Sequence, residues 1–263
     1  MKGSRLGPTI VILVAAAYFL LPLMATFEFS LSMIRGVWSF EAYRVVFADP
    51  EFRHTFTFSV VAAVAAILLG ALLVVPTAYW VRLRFPRLRS VVEFITLLPL
   101  VIPPIVLVFG YIRMYNSSSL VPLTATAGGT NVLLVLGYVT LSLPYMYRAV
   151  DTGMGAIDIR TLTEAGESLG ASRGRILATV ILPNVRAAVL SGAFLTFAIV
   201  IGEFVLASLL NRPAFGPYLA LIGTNRAYEP SALAMIAFAV TWACMVLMQS
   251  LGARPAHKAR QRR

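Results

Sequence analysis

The chain has 263 residues, 59% of them hydrophobic and only 13% charged, with a mean hydropathy of +0.83. Soluble domains carry about 25% charged residues, so too few polar side chains exist here to cover a water-exposed surface, and the apolar excess equally excludes a disordered chain. The net charge of +11 would suit a nucleic acid only if it were gathered in one patch, and the single Cys244 cannot form an internal disulfide.

A membrane span needs about 20 apolar residues, and six such segments follow one another along the chain. They are Pro8–Ile34, Thr55–Val81, Val91–Tyr115, Asn131–Val150, Ala187–Leu210 and Ala232–Gly252. The first follows Lys2 and Arg5 but outruns the apolar core of a signal peptide, about 7–15 residues, and lacks a small-residue cleavage site, so it reads as a retained helix. Arg35–His54 mixes aromatic and acidic residues and is expected to lie on the membrane surface, partly helical. The third segment holds Pro99, Pro103 and Pro104, which predict a bend; Pro103 and Pro104 are candidates for the wall of a cargo path. Asp151–Arg186 is far longer than the roughly 2–8 residues that join bundle helices, so it should carry structure of its own.

Glu203 and Phe204 lie deep in the fifth segment. An acid at such depth costs about 2.5–3.5 kcal/mol on insertion scales. Glu203 therefore reads either as a path residue that attracts a cation or as a hydrogen-bonding group that holds a neighbouring helix. Glu28, Glu93 and Arg113 fall near segment ends, where long side chains reach water. Trp38, Tyr43, Trp80, Tyr111, Tyr115 and Tyr228 read as an aromatic belt.

Sixteen of the 22 lysines and arginines fall on one side of this arrangement, with both termini and Asp151–Arg186. The positive-inside rule makes that side cytoplasmic, which turns the basic charge into a topology signal and removes the argument for nucleic acid. Lys2 and Lys258 are the only lysines and neither sits in a phosphate-cradling Gly-Lys-Ser/Thr loop, so this chain is not expected to bind ATP that way. His54 and His257 have no metal-ligand spacing, and no metal or other cofactor is expected.

Within the long inside segment, Thr161 and Glu164 have capping-box spacing and mark a helix start. Leu162, Ala165, Gly166 and Leu169 form one apolar face whose small centre would let a partner approach the backbone. Gly170 suits the left-handed residue after a helix, and Ser172 should begin a second short helix running through Ile181 and stopped by Leu182 and Pro183.

Glu164-Ala165-Gly166, then Gly170, then Val180, Leu182 and Pro183, resembles the "EAA" signature of bacterial ABC-importer permeases. That signature runs Glu-Ala-Ala, three residues, Gly, nine residues, Ile, one residue, Leu-Pro; here Gly166 replaces the second Ala and Val180 the Ile. The resemblance implies an all-α, six-span type I importer permease of the bacterial inner membrane, one transmembrane domain over residues 1–263. Its implied coupling helix, comprising Glu164, Ala165, Gly166, Leu169 and Gly170 with Val180, Leu182 and Pro183 following, would sit in a cleft of a cytoplasmic ATPase. It also implies a second, different permease subunit, two ATP-binding subunits that hold ATP and magnesium, and an extracytoplasmic solute-binding protein. Such a chain is not itself an enzyme.

The chain is most similar to the second permease of spermidine/putrescine importers, which makes a polyamine the expected cargo. Ile201-Gly202-Glu203-Phe204 also resembles the Gly-Glu-Phe of sulfate, molybdate and iron(III) permeases. Iron(III), thiamine, a sulfate-like anion and an organophosphonate are thus alternative cargoes. A stand-alone secondary carrier is the alternative from another class, but it would show repeated halves and leave the long loop unexplained.

The topology has a direct test. In a Cys244→Ser background, a cysteine at Ser172 should react with an impermeant thiol reagent only after the cells are opened; labelling of intact cells would reverse the orientation.

Overall fold

The computed structural model describes residues 6–252 and is helical throughout that range, without a β-strand among the described residues. Lys2, Arg5, Arg254, His257, Lys258, Arg260, Arg262 and Arg263, which enter the charge count above, lie outside the described residues. Five helices are long and apolar enough to cross a membrane: α1 (Leu6–Leu31), α3 (Pro50–Leu83), α6 (Ala127–Gly155), the continuous run Arg173–Gly202, and α12 (Glu229–Gly252). A sixth crossing can be made by a bent pair, Pro86–Val101, which contains α4 (Arg89–Val101), and α5 (Pro104–Met114), which meet at 97°.

The bend follows from the prolines. A residue before proline is pushed out of the helical region, and proline donates no N–H. Ile102 accordingly adopts ψ 117° and Pro103 ψ 142°, while Pro104 opens α5 in the first helical turn, where its missing donor costs nothing. The sequence predicted a bend, and the backbone is interrupted outright.

Pro183 behaves in the opposite way. It was expected to end the short helix that starts after Ser172, yet α8 (Arg173–Ile176) passes through a π-helical turn (Leu177–Ile181) directly into α9 (Leu182–Gly202). The Leu182 N–H bonds the Leu177 carbonyl five residues back. A π turn adds one residue to the ring, and this widened turn gives the proline ring space that an α-helical turn would deny it. The fifth span therefore begins at Arg173, not Ala187, and stops at Gly202, eight residues before the expected Leu210. A separate short helix, α10 (Val205–Leu209), follows the break.

The described chain forms two compact units. One comprises residues 6–54 and 218–240. Its connecting segment carries α2 (Glu41–Ala48), so it is partly helical as expected. The Tyr43 hydroxyl pairs with Ser30 Oγ at 2.8 Å, and the Tyr218 hydroxyl donates to Asp49 Oδ2 at 2.8 Å. Helix α1 leaves its large apolar side chains exposed, a surface that only lipid or another apolar partner can cover.

The other unit comprises residues 55–217 and 241–252 and holds most of the buried core. Its central feature is the close packing of α6 on α9. Small residues make this possible. A Cβ at Gly153 would collide with Ala188, and one at Gly192 would come 2.6 Å from Met146 Sδ. Gly192→Leu should therefore cost about 1–3 kcal/mol or more by overpacking and reduce folded protein in fluorescence-detected size exclusion. Gly202→Ala, which meets nothing within 4 Å, should leave the elution profile unchanged.

Candidate functional site

The segment between α6 and α9 carries the residues singled out in the sequence. Helix α6 continues through Gly155, so Asp151 lies in a helix and the connection is shorter than expected. Helix α7 (Ile159–Ser168) starts at a different cap from the one the spacing suggested. Asp158 Oδ1 accepts the Thr161 N–H at 3.1 Å, and the Thr161 hydroxyl donates to Oδ2 at 2.8 Å. Thr161 is thus the third helical residue, and its hydroxyl is a donor rather than the capping acceptor. Asp caps as well as Thr and adds a negative charge at the positive end of the helix, which explains the earlier start. The Thr161 N–H holds the Asp158 carboxyl below its ordinary range. The cap is accordingly complete at neutral pH and is lost only as the pH falls through that lowered value. Glu164, released from the expected box, pairs with Arg160 at 2.9 Å on the exposed face.

The far end of α7 closes as the sequence predicted. Gly170 has φ +78°. Its N–H bonds the Glu167 carbonyl at 2.9 Å, and the Ala171 N–H bonds the Gly166 carbonyl at 3.0 Å. These two bonds form a Schellman motif, which requires the left-handed residue between them.

The small centre of α7 has a use within the chain. A Cβ at Gly166 would lie 2.8 Å from Ile176 Cδ1, so the missing side chain admits the first turn of α8 rather than an outside partner. Ala165 is exposed, Leu169 is 88% exposed, and Leu162 packs partly against the core. The expected apolar face is therefore split between the protein interior and a free apolar spot at Ala165 and Leu169. Further on, Val180 is partly buried, while Leu182 and Pro183 are exposed.

The opposite side of α7 docks on the end of α3. The Tyr79 hydroxyl meets Thr163 Oγ1 at 3.1 Å, both residues being buried, and Thr163 donates to the Ile159 carbonyl at 2.7 Å. The Trp80 ring lies 5.6 Å from the Arg173 guanidinium and 5.8 Å from that of Arg84. Arg173 Nε also reaches Glu167 Oε1 at 2.6 Å. Asp151 ties α6 to both sides of the α3–α4 turn: Oδ1 accepts Arg82 Nε at 2.6 Å and Oδ2 accepts Arg89 Nη2 at 2.9 Å. Sequence reasoning missed Tyr79, Thr163, Ile176 and Asp151 as members of this site. Asp151 had a signal, being an acid at a span end on the strongly basic side of the chain.

The residues assigned to a cargo path lie at the two interruptions. Glu203 is 8% exposed, and its carboxylate accepts the N–H groups of Leu206 at 2.9 Å and Ala207 at 3.3 Å. It caps α10 within its own chain segment, a role distinct from both readings of the sequence. Phe204 is half exposed, Pro103 exposed and Pro104 half-buried. Helices α5 and α10 pack together, with Leu206 of α10 and Tyr111 of α5 both lying over Gly137 of α6. Among the described residues no group of His, Cys, Asp and Glu could hold a metal ion.

Comparisons agree on the kind of protein. Residues 66–254 match the family described as binding-protein-dependent transport system inner membrane component. The chain is 33% identical over 211 residues to a probable molybdenum ABC transporter permease protein of Haloferax volcanii, covering 76% of this chain and 75% of the relative. It is 28% identical over 208 residues to a spermidine/putrescine transport system permease protein of Haemophilus influenzae, covering 78% and 76% respectively. The fold is similar to a chain in the crystal structure of a bacterial alginate ABC transporter with its alginate-bound periplasmic protein. That match has a TM-score of 0.73 at 13% identity, over 95% of this chain and 93% of the other.

The Tyr79–Thr163 contact yields an asymmetric prediction. Thr163→Val strands the buried Tyr79 hydroxyl and should cost about 1–3 kcal/mol, whereas Tyr79→Phe leaves Thr163 its bond to Ile159 and should cost about 0.5–1.5 kcal/mol. The double variant should melt no lower than Thr163→Val alone, which thermal unfolding of the purified protein would check.

Proposed function

The chain belongs to the family of binding-protein-dependent inner-membrane transport components, and from that premise we propose that it imports a small oxyanion of the molybdate type. The coarser part of this reading is direct: it is a multi-pass permease subunit of an ABC importer, and ATP hydrolysis belongs to separate ATPase subunits. In the proposed assembly it forms half of a translocation pore with a second permease subunit. An extracytoplasmic binding protein delivers cargo, and two ATP-binding subunits act from the cytoplasm. The termini and α7 face that side, as the charge distribution argues. Glu164, Ala165, Leu169 and Gly170 present α7 to the ATPase cleft, while Gly166 seats the start of the fifth span, within which Val180, Leu182 and Pro183 lie.

The observation that carries the oxyanion is the 33% identity to a molybdenum permease across three quarters of the chain. Glu203 favours neither cargo, because its carboxylate, although it accepts two backbone N–H groups, keeps its charge and further acceptor sites. A polyamine remains the second reading, favoured by the 28% identity to a spermidine/putrescine permease. Uptake of labelled molybdate and of spermidine by cells carrying the complete importer decides between them; accumulation of spermidine without molybdate would overturn the first reading.

Two sets of variants probe the residues. Under the oxyanion reading, Glu203→Gln keeps an acceptor for the Leu206 N–H and should retain most uptake, whereas Glu203→Ala should lose protein from the membrane. Under the polyamine reading, Gln should impair uptake nearly as much as Ala, with expression unchanged. At the coupling helix, Gly170→Asp forces a side chain into φ +78° at a cost of roughly 1–2 kcal/mol. It should abolish uptake while the protein still inserts, and the ATPase should no longer copurify.

A further inference from the structure

Helices α4 and α6 pack together, and four charged side chains line one cavity between them. Arg89 Nη2 reaches Asp151 Oδ2 at 2.9 Å, and Arg148 Nη1 lies 4.0 Å from Glu93 Oε1. Each helix thus contributes one acid and one arginine, and the set is electrically balanced. Arg89 and Glu93 are four residues apart on α4, while Arg148 and Asp151 are three apart on α6. Those are the spacings at which side chains meet along a single helix. The same four groups can therefore pair between the helices, as they do here, or within them, with no charge left over in either arrangement. Asp151, the one buried member, does not depend on the choice, because Arg82 of α3 holds its other oxygen at 2.6 Å.

The surroundings permit an exchange. Helix α4 is 13 residues long and has a non-helical joint at each end: Phe85 at φ −126° and ψ 54°, and Ile102 at ψ 117° before Pro103. Residues at the ends of elements absorb the backbone change when a helix swings. The shared cavity has a volume of about 130 Å³, enough for water to follow the charges. Beside it, the buried Tyr147 hydroxyl has no hydrogen-bond partner. The side chains of Arg148, Arg89 and Glu93 are 74%, 49% and 47% exposed. Ion pairs so open to water contribute little, so trading one set for the other is nearly neutral.

We propose that these four side chains form an exchange switch. In this structure they pair across the interface and hold α4 on α6. During the ATP-driven step Arg89 turns to Glu93 and Arg148 to Asp151, and α4 leaves α6 at the end that leads into α7. Glu93 and Arg148 are thereby positioning residues for transport. The inference rests on the permease reading for the existence of such a step and is independent of the cargo.

A charge swap distinguishes a switch from a fixed structural pair. Glu93→Arg combined with Arg148→Glu restores an opposite pair between the helices, but it places like charges at both spacings within them. The assembled importer is purified and reconstituted in proteoliposomes with its binding protein. The double variant should copurify with the ATPase and melt like the wild type, whereas each single variant should melt lower. Its ATP hydrolysis should fall about tenfold, because two favourable pairs become two repulsive ones in the released state alone. A fixed pair predicts the opposite, and wild-type hydrolysis in the double variant would overturn the proposal. A second arm holds even if the swap does not assemble. In a Cys244→Ser background, cysteines at Leu97 and Tyr145, on facing parts of α4 and α6, are joined by a reducible thiol cross-linker. Joining them should stop hydrolysis and reduction should restore it; undiminished hydrolysis with α4 tied to α6 would also overturn the switch. Molybdate and spermidine uptake reports separately on the cargo, and a wild type that copurifies with no ATPase would remove the permease reading instead.

Discussion

A helix interrupted inside a bilayer exposes N–H and C=O groups that no water can reach, so each interruption must carry its own substitute for the missing bonds. The two interruptions here solve the problem differently. Between α4 and α5 the chain places Pro103 and Pro104, which have no N–H to leave bare. Between α9 and α10 it places Glu203, whose carboxylate accepts the first free N–H groups of α10. An acid at that depth is costly in isolation, yet here it offsets the loss of two backbone bonds. Helices α5 and α10, which follow the two breaks, pack on each other. Irregular backbone at membrane depth is tolerated where it is covered by protein or lines a water-filled path.

At the other end of the same helices the organising contacts are charged and buried by degrees. Asp151 joins the end of α3, the start of α4 and the last turns of α6 through two arginines. Removing one partner of such a cluster leaves a half-buried charge without its counterion, which costs more than the pair contributes. From that anchor the Tyr79–Thr163 bond, the packing of Ile176 over Gly166 and the Arg173–Trp80 contact fasten α7 to α3 and α8. Helix α7 is short and would not hold its shape alone. It is held by its cap, its Schellman closure and this docking, and it keeps Ala165 and Leu169 free on the outside. A force applied to those two residues would therefore be carried to α3 and α6 rather than absorbed in a flexible loop.

Composition and charge alone determined the all-helical membrane class, because few polar side chains and six apolar segments admit no other solvent or fold. Spacing alone determined that a short helix lies between the fourth and fifth spans and that a left-handed glycine ends it, since a helix stop and a positive φ are local properties of the chain. Tertiary structure decided what local rules could not. Thr161 and Asp158 are both acceptable caps, and the folded chain uses Asp158, whose charge favours the positive end of the helix. Pro183 breaks an ordinary helix, but a π turn let the fifth span run through it. Gly166 could have opened the surface to a partner, and instead Ile176 filled the space. Asp151 found its arginines 62 and 69 residues away, and Glu203 turned to its own following helix. In each case the residue type allowed several partners of similar energy, and the choice fell to whichever group the packed helices brought within bonding distance.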